Sequence, residues 1–159
     1  MFFDLQKYGH FAPTVVRIVV GVLFLLHGLS KIGAIGGGSV EETTAMFEAM
    51  NMPIPVFTAM LAAVVEIVGG LALILGYGTR IAAAALSVIM VVAIVAVKLP
   101  AEANPVAAGG YELELALLAG LVVLILQGAG AFSLQGFLST PPQGEDLEAY
   151  GPSTVPNTR

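Results

Sequence analysis

Cysteine is absent from this sequence, which excludes disulfides, thiolate nucleophiles, iron–sulfur clusters and thiolate zinc sites. Charge is scarce too. Asp, Glu, Lys and Arg make up 11% of the 159 residues, against roughly 25% in an ordinary soluble domain. So few charges cannot cover a soluble globule, which removes disordered chains and typical cytosolic enzymes. Six basic residues against eleven acidic ones give a net charge of −5 and argue against any nucleic-acid partner. What is abundant is apolar: 57% of the chain. The composition is that of an integral membrane protein, whose first partner is the lipid bilayer.

A bilayer-crossing helix needs about 20 mostly apolar residues. Four stretches qualify. The first runs from Pro13 to Ile32, opened by a proline suited to a first turn and closed by the glycines of residues 33–38. The second runs from Pro55 to Tyr77 and stops at Gly76-Tyr77-Gly78. The third lies between Arg80 and Lys98, two cations long enough to reach opposite headgroup layers, and Pro100 sets its end. The fourth runs from Tyr111 to Gln127 and ends at Gly128-Ala129-Gly130. The expected fold is an all-α, four-helix transmembrane bundle over residues 1–136.

Between the first two spans, Ser39 with Glu42 three residues on forms a capping-box signature. Met46, Phe47 and Met50 give the following helix an apolar side, so a short interfacial helix is expected there. A transient turn in a loop is the plainer alternative. No small-x-small cleavage site follows the first apolar run, which is therefore read as a retained span. Residues 137–159 have the Pro, Gly and acidic content of a polar tail. Lys7, Arg17, Arg80 and Arg159 lie on the terminal side, against Lys31 and Lys98 on the other. The positive-inside rule then places both termini in the cytoplasm, and the bundle is expected in the plasma (inner) membrane.

The informative residues are those that lipid-facing helices avoid: Arg17, His27, Lys31, Glu66, Glu112 and Glu114. At about 100° per residue, Glu66 shares a face with Ala59, Ala62, Ala63, Gly69 and Gly70, while Leu61, Val64, Val68, Leu71 and Leu75 lie opposite. Small residues permit close helix approach, so Glu66 should point inward. Arg17, Gly21, Phe24, Gly28 and Lys31 form one stripe of the first span, with His27 at its edge. On the fourth, Glu112 aligns with Ala116 and Ala119, and Glu114 with Leu117, Leu118, Leu121 and Ile125. From the span midpoints, Glu66 is central, His27 ~7 Å, Glu112 ~10 Å and Lys31 ~13 Å toward the non-terminal side. A polar intramembrane cluster of His27, Lys31, Glu66 and Glu112 is therefore expected, with Arg17 a separate position on the cytoplasmic side. Glu114 and Leu118 are left facing outward. There Glu114 either turns toward headgroups or meets a partner across the leucine stripe.

Two readings of the cluster compete. The structural one has the charges pairing to hold helices in register. The functional one is a pocket that binds a small molecule or relays protons, the usual meaning of intramembrane ionisable groups. No metal site is expected, because an ammonium beside one imidazole and two carboxylates disfavours a cation. His10 and His27 are about 25 Å apart along a helix, too far for a bis-histidine haem. The glycines before Ser39 lack a preceding strand and P-loop spacing, so nucleotide binding is not indicated. No self-sufficient catalytic motif is present.

Taken together, Arg17 with Gly21, His27-Gly28 followed by Lys31, Glu66 followed by Gly69-Gly70, Leu75-Gly76 with Thr79-Arg80, and Tyr111-Glu112 resemble the DoxX family of small four-span membrane proteins. Gly128-Ala129-Gly130 and Ser133-Leu134 extend the resemblance over residues 13–136. Gln135 departs from it, standing where relatives often carry Asn or Asp. The resemblance implies a four-helix bundle associated with oxidoreductases, including thiosulfate:quinone oxidoreductase and membrane complexes that handle oxidative stress. It implies no intrinsic cofactor and one external one, a quinone, which would have to use His27, Lys31, Glu66 or Glu112 as hydrogen-bond or proton partners. Three functions follow for comparison. They are a subunit of a quinone-linked membrane oxidoreductase or respiratory-type complex, a non-catalytic accessory or assembly subunit, and a small-molecule permease. The first two require other membrane subunits or self-association. The third is weakened by the lack of an inverted repeat or interrupted helix.

Overall fold

The computed structural model describes residues 9–139. Their regular structure is helical throughout. Three helices are long and apolar enough to cross a membrane: α1 (Ala12–Lys31), α3 (Pro55–Leu75) and α4 (Thr79–Ala101). A short α2 (Val40–Ala49) lies between the first two, α5 (Glu112–Gln127) follows α4, and α6 (Leu134–Ser139) ends the described chain. The expected tail over 137–159 therefore lies outside the described residues, apart from the three that close α6.

Local chemistry sets the boundaries. Proline occupies the first turn of α1 and of α3, where its missing N–H removes nothing. The Ser39 hydroxyl accepts from the Glu42 N–H at 3.0 Å, so the capping signature does start α2. That helix packs inward: Phe47 is buried with Ala59 and Ala62 at the start of α3. Gly76, the first residue of the expected stop, ends α3 in the left-handed conformation at φ 70°. The third span does not end at Pro100. After α-helical Thr79–Val92, residues Ala93–Lys98 are π-helical, and a last turn reaches Ala101. The last π pair before Pro100 runs from the Leu99 N–H to the Ile94 carbonyl, five residues back.

Helix α1 packs on α3 through glycines. A Cβ at Gly70 would sit 2.7 Å from the Gly21 carbonyl oxygen and 2.7 Å from the Leu25 nitrogen. One at Gly28 would sit 2.9 Å from the Ala63 carbonyl oxygen. Only hydrogen fits where two backbones come this close. Helices α4 and α5 meet differently, through the fully buried Leu86, Leu121 and Leu124, while Phe24 and Leu73 fill the space between the two pairs. The bulky face of α3 (Leu61, Val64, Val68, Leu71, Leu75) is exposed, as suits lipid.

Replacing Gly70 by Ala forces a methyl into backbone, not into a flexible side chain. The expected loss is about 1–3 kcal/mol, read from unfolding in mild detergent. Gly9→Ala, where nothing lies within 4 Å of the new atom, should stay within about 0.5 kcal/mol of the parent.

Candidate functional site

The polar site is built on the α1–α3 contact. Glu66 lies midway along α3, on the small-residue face that the packing buries, and is 2% exposed. Lys31 is the last residue of α1, one turn beyond Gly28. Because Gly28 brings the two backbones together, the lysine stem can fold along α3, and its Nζ donates to Glu66 Oε2 at 2.5 Å. The carboxylate is nearly sealed, whereas the lysine side chain keeps 23% of its surface open. The pair is thus approachable from the Lys31 side. Nearby, Thr43 of α2 donates to the Lys31 carbonyl at 3.2 Å, tying α2 to the end of α1.

The other two members of the expected cluster lie elsewhere. His27 is exposed on α1, one turn before Lys31, so it flanks the pair from outside. Glu112 is exposed as well, because the face assigned to the fourth helix is reversed. Leu117, Leu121 and Leu124 are its buried residues, with Leu118 and Ile125 packed against the core, while Ala116 and Ala119 face outward. The small-residue rule holds where backbones touch, as in α1 and α3. It misleads for α5, whose wider spacing from α4 needs leucine to fill it. Glu114 and Leu118 therefore lie on the face turned to their own bundle, not outward as expected. Glu114 pairs with Lys98 at 3.5 Å, and its second oxygen is buried without a partner among the described residues.

Lys98 was assigned only to the headgroups, so this second ion pair went unrecognised in the sequence. The cause is the π-helical stretch, which hydropathy does not register. Arg17 stands at the opposite end of α1 from Lys31, as expected, but is far more enclosed than a surface cation. It is 1% exposed, and its Nη2 donates to the Phe132 carbonyl at 3.1 Å. Among the described residues no three His, Asp or Glu side chains gather in a way that could hold a metal ion.

The DoxX family model matches residues 12–99, which hold Arg17, Lys31, Glu66 and the whole α1–α3 contact. A Haemophilus influenzae protein of uncharacterised function is 38% identical over 141 residues, covering 82% of this chain and 93% of its own. A Bacillus subtilis protein provisionally named as the oxidoreductase CatD is 30% identical over 134 residues, covering 84% of this chain and 92% of its own. A Mycobacterium tuberculosis protein described as an uncharacterised membrane protein is 35% identical over 140 residues, covering 78% and 79%. No solved structure matches the chain. The family match spans more than half of the sequence and the relatives span most of it; the chain belongs to the DoxX family of membrane proteins.

Proposed function

We propose that this chain is the membrane subunit of a quinone-linked oxidoreductase, with the Lys31–Glu66 pair as its quinone-facing polar site. The observation that carries this reading is the pair itself: a nearly sealed carboxylate midway along one apolar helix, joined to a partly open lysine at the end of another. Intramembrane ionisable groups are expensive and usually mark ligand or proton pathways. The provisional oxidoreductase name of the Bacillus subtilis relative supports the same class.

The residues suit a quinone head group. Lys31 offers donors to a carbonyl oxygen, Glu66 can hold or pass a proton, and His27 presents an imidazole one turn away on the lipid side. When bound, the quinone supplies the two-electron chemistry. This chain has no thiol, so the electrons come from another subunit in this reading. Helix α5 serves as the fourth span. Its 16 residues extend about 24 Å, and Lys98 and Glu114 form its membrane-edge contact. Both termini then lie on the side of Arg17 and Arg80, the cytoplasmic face by the positive-inside rule.

The test is quinone co-extracted with protein purified in mild detergent. Glu66→Gln should lower the bound quinone at least about tenfold, the effect of losing one hydrogen bond to a charged group. Retention of the parent's quinone by that variant would remove the site.

A stability measurement separates the structural role from the functional one. Glu66→Ala alone should cost about 3 kcal/mol, since it strands the Lys31 ammonium. The double variant Lys31→Met with Glu66→Leu should recover to within about 1–2 kcal/mol of the parent, because an apolar pair satisfies the same space. If the pair only fixes packing, the double variant keeps its quinone. If it forms the site, stability returns and quinone does not.

A further inference from the structure

The end of the bundle away from Lys31 holds a buried charge that the described residues answer only in part. Arg17 is buried, and of its guanidinium groups only Nη2 has a partner, the Phe132 carbonyl. Nε and Nη1 have none among the described residues. No salt bridge joins it to a carboxylate there either. A buried guanidinium without an acid is among the least favourable arrangements in a membrane helix.

A cavity of about 510 Å³ lies beside it. The two are separated by one layer: a Cβ at Gly76 would meet both the Arg17 guanidinium and the Ser133 Cβ, and Ser133 lines the cavity. Thr79 and Arg80, at the start of α4, form another wall. Thr79 is 1% exposed, and its hydroxyl has no hydrogen-bond partner among the described residues. Arg80 is exposed and reaches across the end of α5, where Nη2 donates to the Leu126 carbonyl at 3.4 Å. The described lining contains no Asp or Glu.

The remaining wall is the segment after α5. It is strapped across the bundle end: Thr14 Oγ1 donates to the Ala131 carbonyl at 2.6 Å, and the Gln135 N–H donates to the Gly76 carbonyl at 3.2 Å. Beyond the cavity this strap continues into Phe137 and Leu138, 80% and 64% exposed.

We infer that this cavity binds a phosphate-type oxyanion, held by Arg80, the Thr79 and Ser133 hydroxyls and the start of α4, over the buried charge of Arg17. Each part alone has an ordinary use: Arg80 tempers the carbonyls ending α5, and a helix start needs caps. Together they leave one arginine, two hydroxyls and a helix N-terminus around a cavity whose described lining holds no acid, with a second, buried arginine one layer behind it, which is the chemistry of an oxyanion site. A phospholipid headgroup and free phosphate share that chemistry.

The test uses the full chain, delipidated in a maltoside detergent, with its melting midpoint followed on adding three probes separately. These are inorganic phosphate, dioctanoyl phosphatidylglycerol and dioctanoylglycerol, which lacks phosphate. A saturating phosphate-bearing probe should raise the midpoint by about 5 °C, and dioctanoylglycerol should not. A rise with the phospholipid alone identifies a headgroup site, and a rise with inorganic phosphate identifies a free oxyanion site. Arg80→Gln, a surface change that should leave elution in detergent unaltered, should weaken the response at least about tenfold in probe concentration. Ser133→Ala gives a second reading if that variant elutes abnormally. Glu48→Gln, on exposed α2, should respond like the parent. No rise with either phosphate probe, an equal rise with dioctanoylglycerol, or full response in both site variants would overturn the assignment.

Discussion

The close approach of α1 and α3 is the constraint on which the rest of the structure depends. In lipid there is no hydrophobic force between helices, so contact must come from packing and polar bonds. Gly21 against Gly70 and Gly28 against Ala63 supply the packing by letting backbone meet backbone. That proximity allows Lys31, at the end of one helix, to reach Glu66 midway along the other. With bulkier residues at the glycine positions the helices would part, and the carboxylate would be left buried without its cation. Fold and site are therefore one arrangement.

Charge is divided between the two ends of the bundle. Toward one end two carboxylates of the long helices have a lysine: Glu66 with Lys31 and Glu114 with Lys98. At the other stand Arg17 and Arg80, bonded to backbone carbonyls and to no described acid. Paired charges lower the penalty of burial within the chain, and unpaired ones leave it to something outside. The positive-inside bias that orients membrane proteins acts on the same arginines. Orientation and ligand chemistry thus draw on one set of cations.

Much of this was legible in the sequence, for a physical reason. The faces of α1 and α3 are decided by glycine and alanine, residues whose only advantage in a span is permitting contact, so their periodicity marks the interface. The Glu66 environment and the Ser39 cap follow directly. Helix α5 was misread because leucine serves lipid and a widely spaced core equally well, and hydropathy cannot tell them apart. Ala116 and Ala119 then looked like an interface and placed Glu112 inside. His27 was drawn into the cluster by depth, yet depth says nothing about azimuth, and one position off the stripe puts it outside. The Arg17 end was the least legible. Its partner is the carbonyl of Phe132, and a backbone acceptor leaves no trace in residue identity.

The π-helical stretch shows why Lys98 reaches Glu114 at all. Leu86, Met90 and Ile94 are buried at four-residue steps along α4. An α-helix turns about 400° in four residues, so such a row drifts by about 40° at each step and would carry the next member away from α5. The wider π turn covers less angle per residue and removes most of that drift. Ala93–Lys98 therefore keeps Lys98 in line with Met90 and Ile94, facing the helix that carries Glu114. The irregular turn has the same place in the α4–α5 pair that the glycines have in the α1–α3 pair. Each lets a lysine of one helix meet a carboxylate on its neighbour, one by close approach and the other by a wider turn.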